Sequence, residues 1–248
     1  MPRLLFWTVT LWVSLSLRAA DPTPIVWDTD MDSDCDDAAA LAMLHACADR
    51  GEIKILGTMV SSRHPWSAPC TDAINTYFGR PDLPIGIPKG PGLKLQASLY
   101  AQKISEEFPH DIPHGDAAPD ATPIYRRLLA SQPDGSVVIV TVGDLTNLRY
   151  LLESKADDAS PLGGVELVCR KVKQWVCMGS RYPADLDPKP WGNFKLDPES
   201  TVKAIDGWPT LITFTGGGKF AELMSTGECL AQCPKTNPVR RVYEPYFK

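Results

Sequence analysis

Asp28-Thr29-Asp30-Met31-Asp32-Ser33-Asp34-Cys35-Asp36-Asp37 packs six carboxylates into ten residues. An apolar run, Ile25-Val26-Trp27, leads into it, and an Ala/Leu-rich run from Ala38 to Ala48 follows. That pattern predicts a strand, a tight loop and a helix. Like charges this dense repel one another unless a cation binds among them, and oxygen ligands suit a hard divalent ion. Carboxylates at the C-terminal end of a first strand, feeding a helix N-terminus, also lie where open α/β sheets place their sites.

Working outward, further strand-like runs fall at 24–28, 53–60, 136–142, 165–168, 174–178 and 210–214. Helix-like stretches fall at 37–49, 70–78, 98–108, 121–130, 146–154, 200–206 and 219–225. The alternation predicts the α/β class, an open and mostly parallel sheet flanked by helices. The short apolar strands fit burial on both faces. Prolines concentrate in the connections at 81–91, 109–123 and 183–198, loops long enough to shape a pocket.

The chain has 248 residues, 44% hydrophobic and 22% charged, with a net charge of −5. It is long enough for one domain with a substantial core. Without a basic stripe, a nucleic-acid partner is not expected. Arg3, the apolar run Leu4 to Leu17 and the small residues Ala19-Ala20 read as a signal peptide over 1–20 and an exported protein. The seven cysteines are an odd number, so at least one free thiol or intermolecular bridge is expected in an exported chain; Cys229 and Cys233 are close enough to pair, while Cys47, Cys169 and Cys177 read as buried small apolar residues. His45 reads as structural, and His64, His110 and His114 as loop residues. Gly216-Gly217-Gly218 lacks the phosphate-loop spacing and reads as a plain turn.

Three chemistries compete for the acidic loop. An EF-hand calcium loop needs Gly where Ser33 stands and Glu where Ala39 stands, and a helix rather than a strand before it. Val26-Trp27-Asp28-Thr29-Asp30 resembles the strand-end Asp-x-Asp of haloacid-dehalogenase-like phosphatases, but Met31-Asp32 follows it, so phosphatase is the lesser alternative. Asp28-Thr29-Asp30, Asp36-Asp37-Ala38 and Ala40-Leu41 resemble the N-terminal signature of the inosine-uridine-preferring nucleoside hydrolase family, with two extra loop residues. Further segments resemble that family in the same order: Ile55-Leu56-Gly57-Thr58, Asp72-Ala73-Ile74-Asn75, Arg80 to Ile85, Val142-Gly143-Asp144-Leu145-Thr146-Asn147-Leu148, Met178-Gly179, Asn193 to Glu199, and Asn237-Pro238-Val239-Arg240.

The resemblance implies an α/β open sheet over residues 21–248 and calcium-dependent hydrolysis of the N-glycosidic bond of ribonucleosides, giving ribose and free base. It implies a Ca2+ ion held by Asp30, Asp37 and the carbonyl of Val142, with Asp30 also the general base. Asp36 and Asn193 would bind ribose hydroxyls, and a homo-oligomer is possible. Trp191 stands where the family has Glu and offers a stacking face instead. Ser180-Arg181-Tyr182 and Ser61-Ser62-Arg63-His64 depart from the family at the expected Gly-Asn and Asn. Asp32 and Asp34 lie in the longer loop and are expected to be solvent-facing charges. The chain ends at Lys248, before the family's C-terminal segment and its further calcium-binding Asp, so either an incomplete sequence or a shortened homologue is expected. The alternative function is an inactive homologue that binds a ribosyl ligand or a partner.

Overall fold

The computed structural model describes residues 21–90, 97–181, 192–217, 223–224 and 227–247. The expected signal peptide, Trp191, Gly218 and most of the expected helix 219–225 lie outside the described residues. Six strands form one parallel sheet: β1 (Thr23–Thr29), β2 (Ile53–Val60), β3 (Ile85–Gly86), β4 (Val137–Thr141), β5 (Val172–Arg181) and β6 (Leu211–Gly217). Their order is β3-β2-β1-β4-β5-β6. The chain thus winds outward from β1 to one edge, then returns to β4 on the other side of β1. The crevice between β1 and β4 is the point where the winding reverses, which is where such sheets carry ligands.

Helices cover both faces. On one side lie α1 (Asp36–Asp49), α2 (Ser67–Tyr77), α3 (Ala101–Glu107) and, last in the chain, α8 (Pro238–Tyr243). They enclose a core of Trp27, Met31, Leu41, Ile74, Ile104 and Val242. On the other side lie α4 (Ala121–Ala130), α5 (Thr146–Glu153), α6 (Gly164–Lys171) and α7 (Pro198–Gly207). Their core includes Val26, Ile139, Leu148, Leu167 and Trp175, the last stacked obliquely on Trp208 with ring centroids 4.7 Å apart. Val26 and Trp27 thus feed opposite cores from adjacent positions of β1, which is why that strand reads as a continuous apolar run.

The segments 193–199 and 237–240 act locally as helix starts. Asp197 accepts from the Ser200 N–H (3.1 Å) ahead of Pro198, and Asn237 accepts from Val239 and Arg240 N–H groups (2.8 and 3.1 Å) ahead of Pro238. Each is a capping side chain followed by a proline whose missing N–H costs nothing at that position.

The sheet is as expected in class, with one element corrected. Residues 165–168, expected as a strand, belong to α6. Gly164, Leu167 and Val168 are buried while Val165 and Glu166 face solvent, a helical spacing that an isolated four-residue apolar run does not reveal. All seven cysteines are free. Cys177 is buried as expected, but Cys169 is exposed and Cys47 half-buried. Cys229 and Cys233 lie in one 3-10 turn, with the Cys233 thiol 3.9 Å from the Cys229 carbonyl. Among the described residues no helix is long and apolar enough to cross a membrane.

Candidate functional site

The ends of β1 and β4 are locked to their neighbours. The Val142 N–H donates to the Asp28 carbonyl and the Ser61 N–H to the Thr29 carbonyl, both at 2.8 Å. Gly143 then passes so close to β1 that a β-carbon there would sit 2.4 Å from the Asp30 nitrogen and 2.8 Å from the Thr29 carbonyl carbon. The glycine is what lets the loop after β4 lie against the acidic loop after β1.

The six carboxylates of the acidic loop separate into distinct roles. Asp28 is 1% exposed and both its oxygens are satisfied, by the Tyr125 hydroxyl (2.6 Å) and the Asn147 amide (3.2 Å). Burial pushes its carboxyl up to about 7 against the Tyr125 hydrogen bond. Asp30 is fully buried. Its Oδ1 accepts from Ser33 (3.1 Å), and its Oδ2 has no hydrogen-bond partner among the described residues. Burial, and then the charge of Asp144, raise it to about 7.

Asp37, in the first turn of α1, accepts from the hydroxyls of Thr29 and Ser33, and Ser33 thereby links it to Asp30. Burial followed by the Asp30 and Asp34 charges holds its carboxyl well above the usual range. Asp34 and Asp36 are exposed, and with Asp37 they offer carboxylate oxygens all within 4.8 Å of one another. Both α1 carboxylates stand where the helix dipole favours negative charge.

Asp32 departs from the expectation of a solvent-facing charge. It is 1% exposed, and its Oδ1 accepts from the N–H groups of Leu99, Tyr100 and Ala101 at 3.0, 2.8 and 2.8 Å. In return its own N–H donates to the Tyr100 hydroxyl (3.0 Å). Its φ is +96°, a left-handed turn that lets the side chain point down onto the start of α3. His64 Nδ1 lies 3.8 Å from the other Asp32 oxygen, but that nitrogen accepts from the Trp66 N–H (3.3 Å), so the ring is oriented with its proton elsewhere. Asp34 is exposed, as expected.

The Val142 carbonyl and the Asn193 side chain meet directly. The Asn193 amide donates to the Val142 carbonyl at 2.6 Å and to the Met178 carbonyl at 3.1 Å. Two residues expected in different roles are thus brought into one cluster at the ends of β4 and β5. Beside it opens a largely apolar cavity of about 450 Å³, walled by Asp36, Asp37, Met43, Val142, Met178 and Tyr243. Sequence reasoning assigned no role to Asp144, which is 1% exposed on the same loop. Burial raises its carboxyl and the Thr146 hydroxyl opposes the rise. His45 is structural, bonded to the Asn75 side chain (2.9 Å) and stacked on Phe78.

No family model matches the chain, and no curated protein matches it in sequence. Solved structures do share its architecture. The effector protein XOO4466 is 19% identical with a TM-score of 0.58, over 79% of this chain and 57% of that one. The type III effector protein XopQ, solved with adenosine diphosphate ribose, is 19% identical with a TM-score of 0.57, over 79% of this chain and 59% of that one. The plant nucleoside hydrolase PpNRh1 is 18% identical with a TM-score of 0.56, over 91% of this chain and 71% of that one. The chain therefore spans less than two thirds of the two effector structures. Six parallel strands wound outward from β1, with helices on both faces, give this protein a nucleoside-hydrolase-like fold.

Proposed function

We propose that this protein is a cation-dependent hydrolase of the N-glycosidic bond of ribonucleosides, with its site at the ends of β1 and β4. The observation that carries the reading is a buried, half-satisfied Asp30 joined through the Ser33 hydroxyl to Asp37, which shares a cavity wall with Val142. These donors fit a hard divalent ion. All are oxygens, the Asp30 Oδ2 atom lacks a partner among the described residues, and burial with mutual repulsion raises both carboxyls, a cost that a counter-charge relieves. Asp30, Asp37 and Val142 would hold the ion, and calcium is the ion this reading assigns. Bound there, it supplies Lewis-acid polarisation and orients the ribose diol and the attacking water.

The protein's own groups supply the rest. Asp30 takes the proton of the attacking water as the water oxygen bonds to the anomeric carbon; the bond to the base nitrogen breaks with its electron pair leaving on the base, which takes up a proton from solvent. A carboxylate held beside the attacking water is placed for that transfer. Asp36 lies at the cavity wall and accepts hydrogen bonds from ribose hydroxyls, and Asn193 orients the Val142 carbonyl and contacts the sugar beside it. The buried negative charge favours the positive charge that develops on the sugar as the base departs. The apolar part of the 450 Å³ cavity takes the base.

The test is release of ribose and free base from inosine and uridine by the purified protein. The reading expects many turnovers with calcium, none after chelation, and loss of about a thousandfold or more for Asp30→Asn. Undiminished turnover without calcium would sink it. One observation favours a second reading, binding without turnover. The Asn193 amide already occupies the Val142 carbonyl that the ion would use. The effector XopQ, of the same fold, was solved with adenosine diphosphate ribose. Under this reading, ribosyl ligands bind in calorimetry and no ribose is released; multiple turnovers would exclude it.

A further inference from the structure

We infer that Asp144 is an additional anionic ligand of the cation centre, contributed by the loop after β4. This inference rests on the proposed cation site and extends it to a residue outside Asp30, Asp37 and Val142.

Asp144 has an evident local role. Its Oδ1 accepts from the N–H (3.0 Å) and hydroxyl of Thr146, which fixes the start of α5. That role uses one oxygen and needs no burial; capping carboxylates ordinarily keep their second oxygen in water. Here the residue is 1% exposed and Oδ2 is buried with no hydrogen-bond partner among the described residues. The Ser61 hydroxyl lies near enough to Asp144 to favour its ionised form, and it donates to the Thr29 carbonyl at 3.2 Å.

What lies beside Asp144 makes the arrangement costly without a ligand. Asp30, against whose backbone nitrogen the neighbouring Gly143 is pressed, also carries a buried Oδ2 with no hydrogen-bond partner among the described residues. Gly143 presses the two loops together, and the Asp28–Val142 and Thr29–Ser61 backbone bonds hold them there. Arg149, on the following helix, is engaged with Glu153 and Glu199. Two buried carboxylates, each with an open oxygen, are stabilised by one hard cation between them. Asp28 is not a candidate for this place, because Tyr125 and Asn147 satisfy both its oxygens; Asp32 also has a buried Oδ2 without a hydrogen-bond partner among the described residues, but its side chain is turned onto the start of α3 and that oxygen lies 3.8 Å from His64 Nδ1.

The experiment uses the full chain, freed of metal, and titrates calcium by calorimetry and terbium by luminescence. The variants are Asp144→Asn and Asp144→Ser; both keep an acceptor for the Thr146 N–H, and circular dichroism checks that each is folded. The inference expects calcium affinity to fall about tenfold or more in both. It also expects terbium lifetimes in light and heavy water to report about one more bound water in Asp144→Asn than in wild type, because water refills a lost carboxylate position. Wild type that binds calcium and folded variants that bind it equally well would overturn the inference and leave the cation site standing. Wild type that binds neither ion would overturn both.

Discussion

Asp32→Ala tests how the acidic loop is built. The carboxylate accepts three backbone N–H bonds at the start of α3 while almost fully buried. Leu99 is exposed, so its N–H regains water when the carboxylate is removed; Tyr100 and Ala101 are buried, and theirs do not. Each buried donor left unpaired costs about 1–3 kcal/mol, so two cost about 2–6 kcal/mol. For a chain of this size each kcal/mol lowers the melting temperature by roughly 2–4 °C, which places Asp32→Ala at least about 4 °C below wild type. Asp32→Asn keeps one acceptor oxygen and loses less. Urea and thermal unfolding in chelator, where no ion contributes, read the difference. Loss within 0.5 kcal/mol, about the scatter of ordinary surface substitutions, would refute the capping role.

Two further predictions follow from the geometry. Asp28 has a folded pKa of about 7 against 3.8 for the free carboxyl, so the folded protein holds the proton more tightly between those values. Its contribution to stability is complete below pH 3.8 and is lost as pH rises through 7. In chelator, wild type should therefore weaken relative to Asp28→Asn by about 1.4 kcal/mol per pH unit across that window, and a relative gain with rising pH in urea titrations would contradict this. Gly143→Ala puts a methyl into the backbone of Asp30 and Thr29, and should cost about 1–3 kcal/mol of stability together with calcium affinity; an unchanged calcium isotherm would show that the loop contact does not shape the site.

The fold class was legible because each strand of the sheet centre carries its own short apolar run. β1 and β4 need no partner to be recognised, and the carboxylates after β1 mark the functional edge. The strand at 165–168 failed because four apolar-rich residues do not distinguish a helix face from a buried strand. Asp32 was misread for a different reason. Its partners are 67–69 positions away, and nothing local distinguishes a carboxylate that holds a distant helix start from one facing solvent. Asp144 was in view as one residue of a familiar segment. Its significance came from the parallel pairing of β1 and β4, which lays the two loops together. The close meeting of Asn193 with the Val142 carbonyl likewise follows from the neighbouring ends of β4 and β5.

The buried carboxylates, rather than the exposed ones, are proposed to form the cation centre. A crystal structure of the full chain grown with calcium tests it most directly, with the anomalous signal fixing the ion. One ion is expected, bonded to Asp30, Asp37 and the Val142 carbonyl at about 2.3–2.6 Å. An ion bound only at the exposed Asp34 and Asp36 carboxylates, or none at saturating calcium, would contradict it.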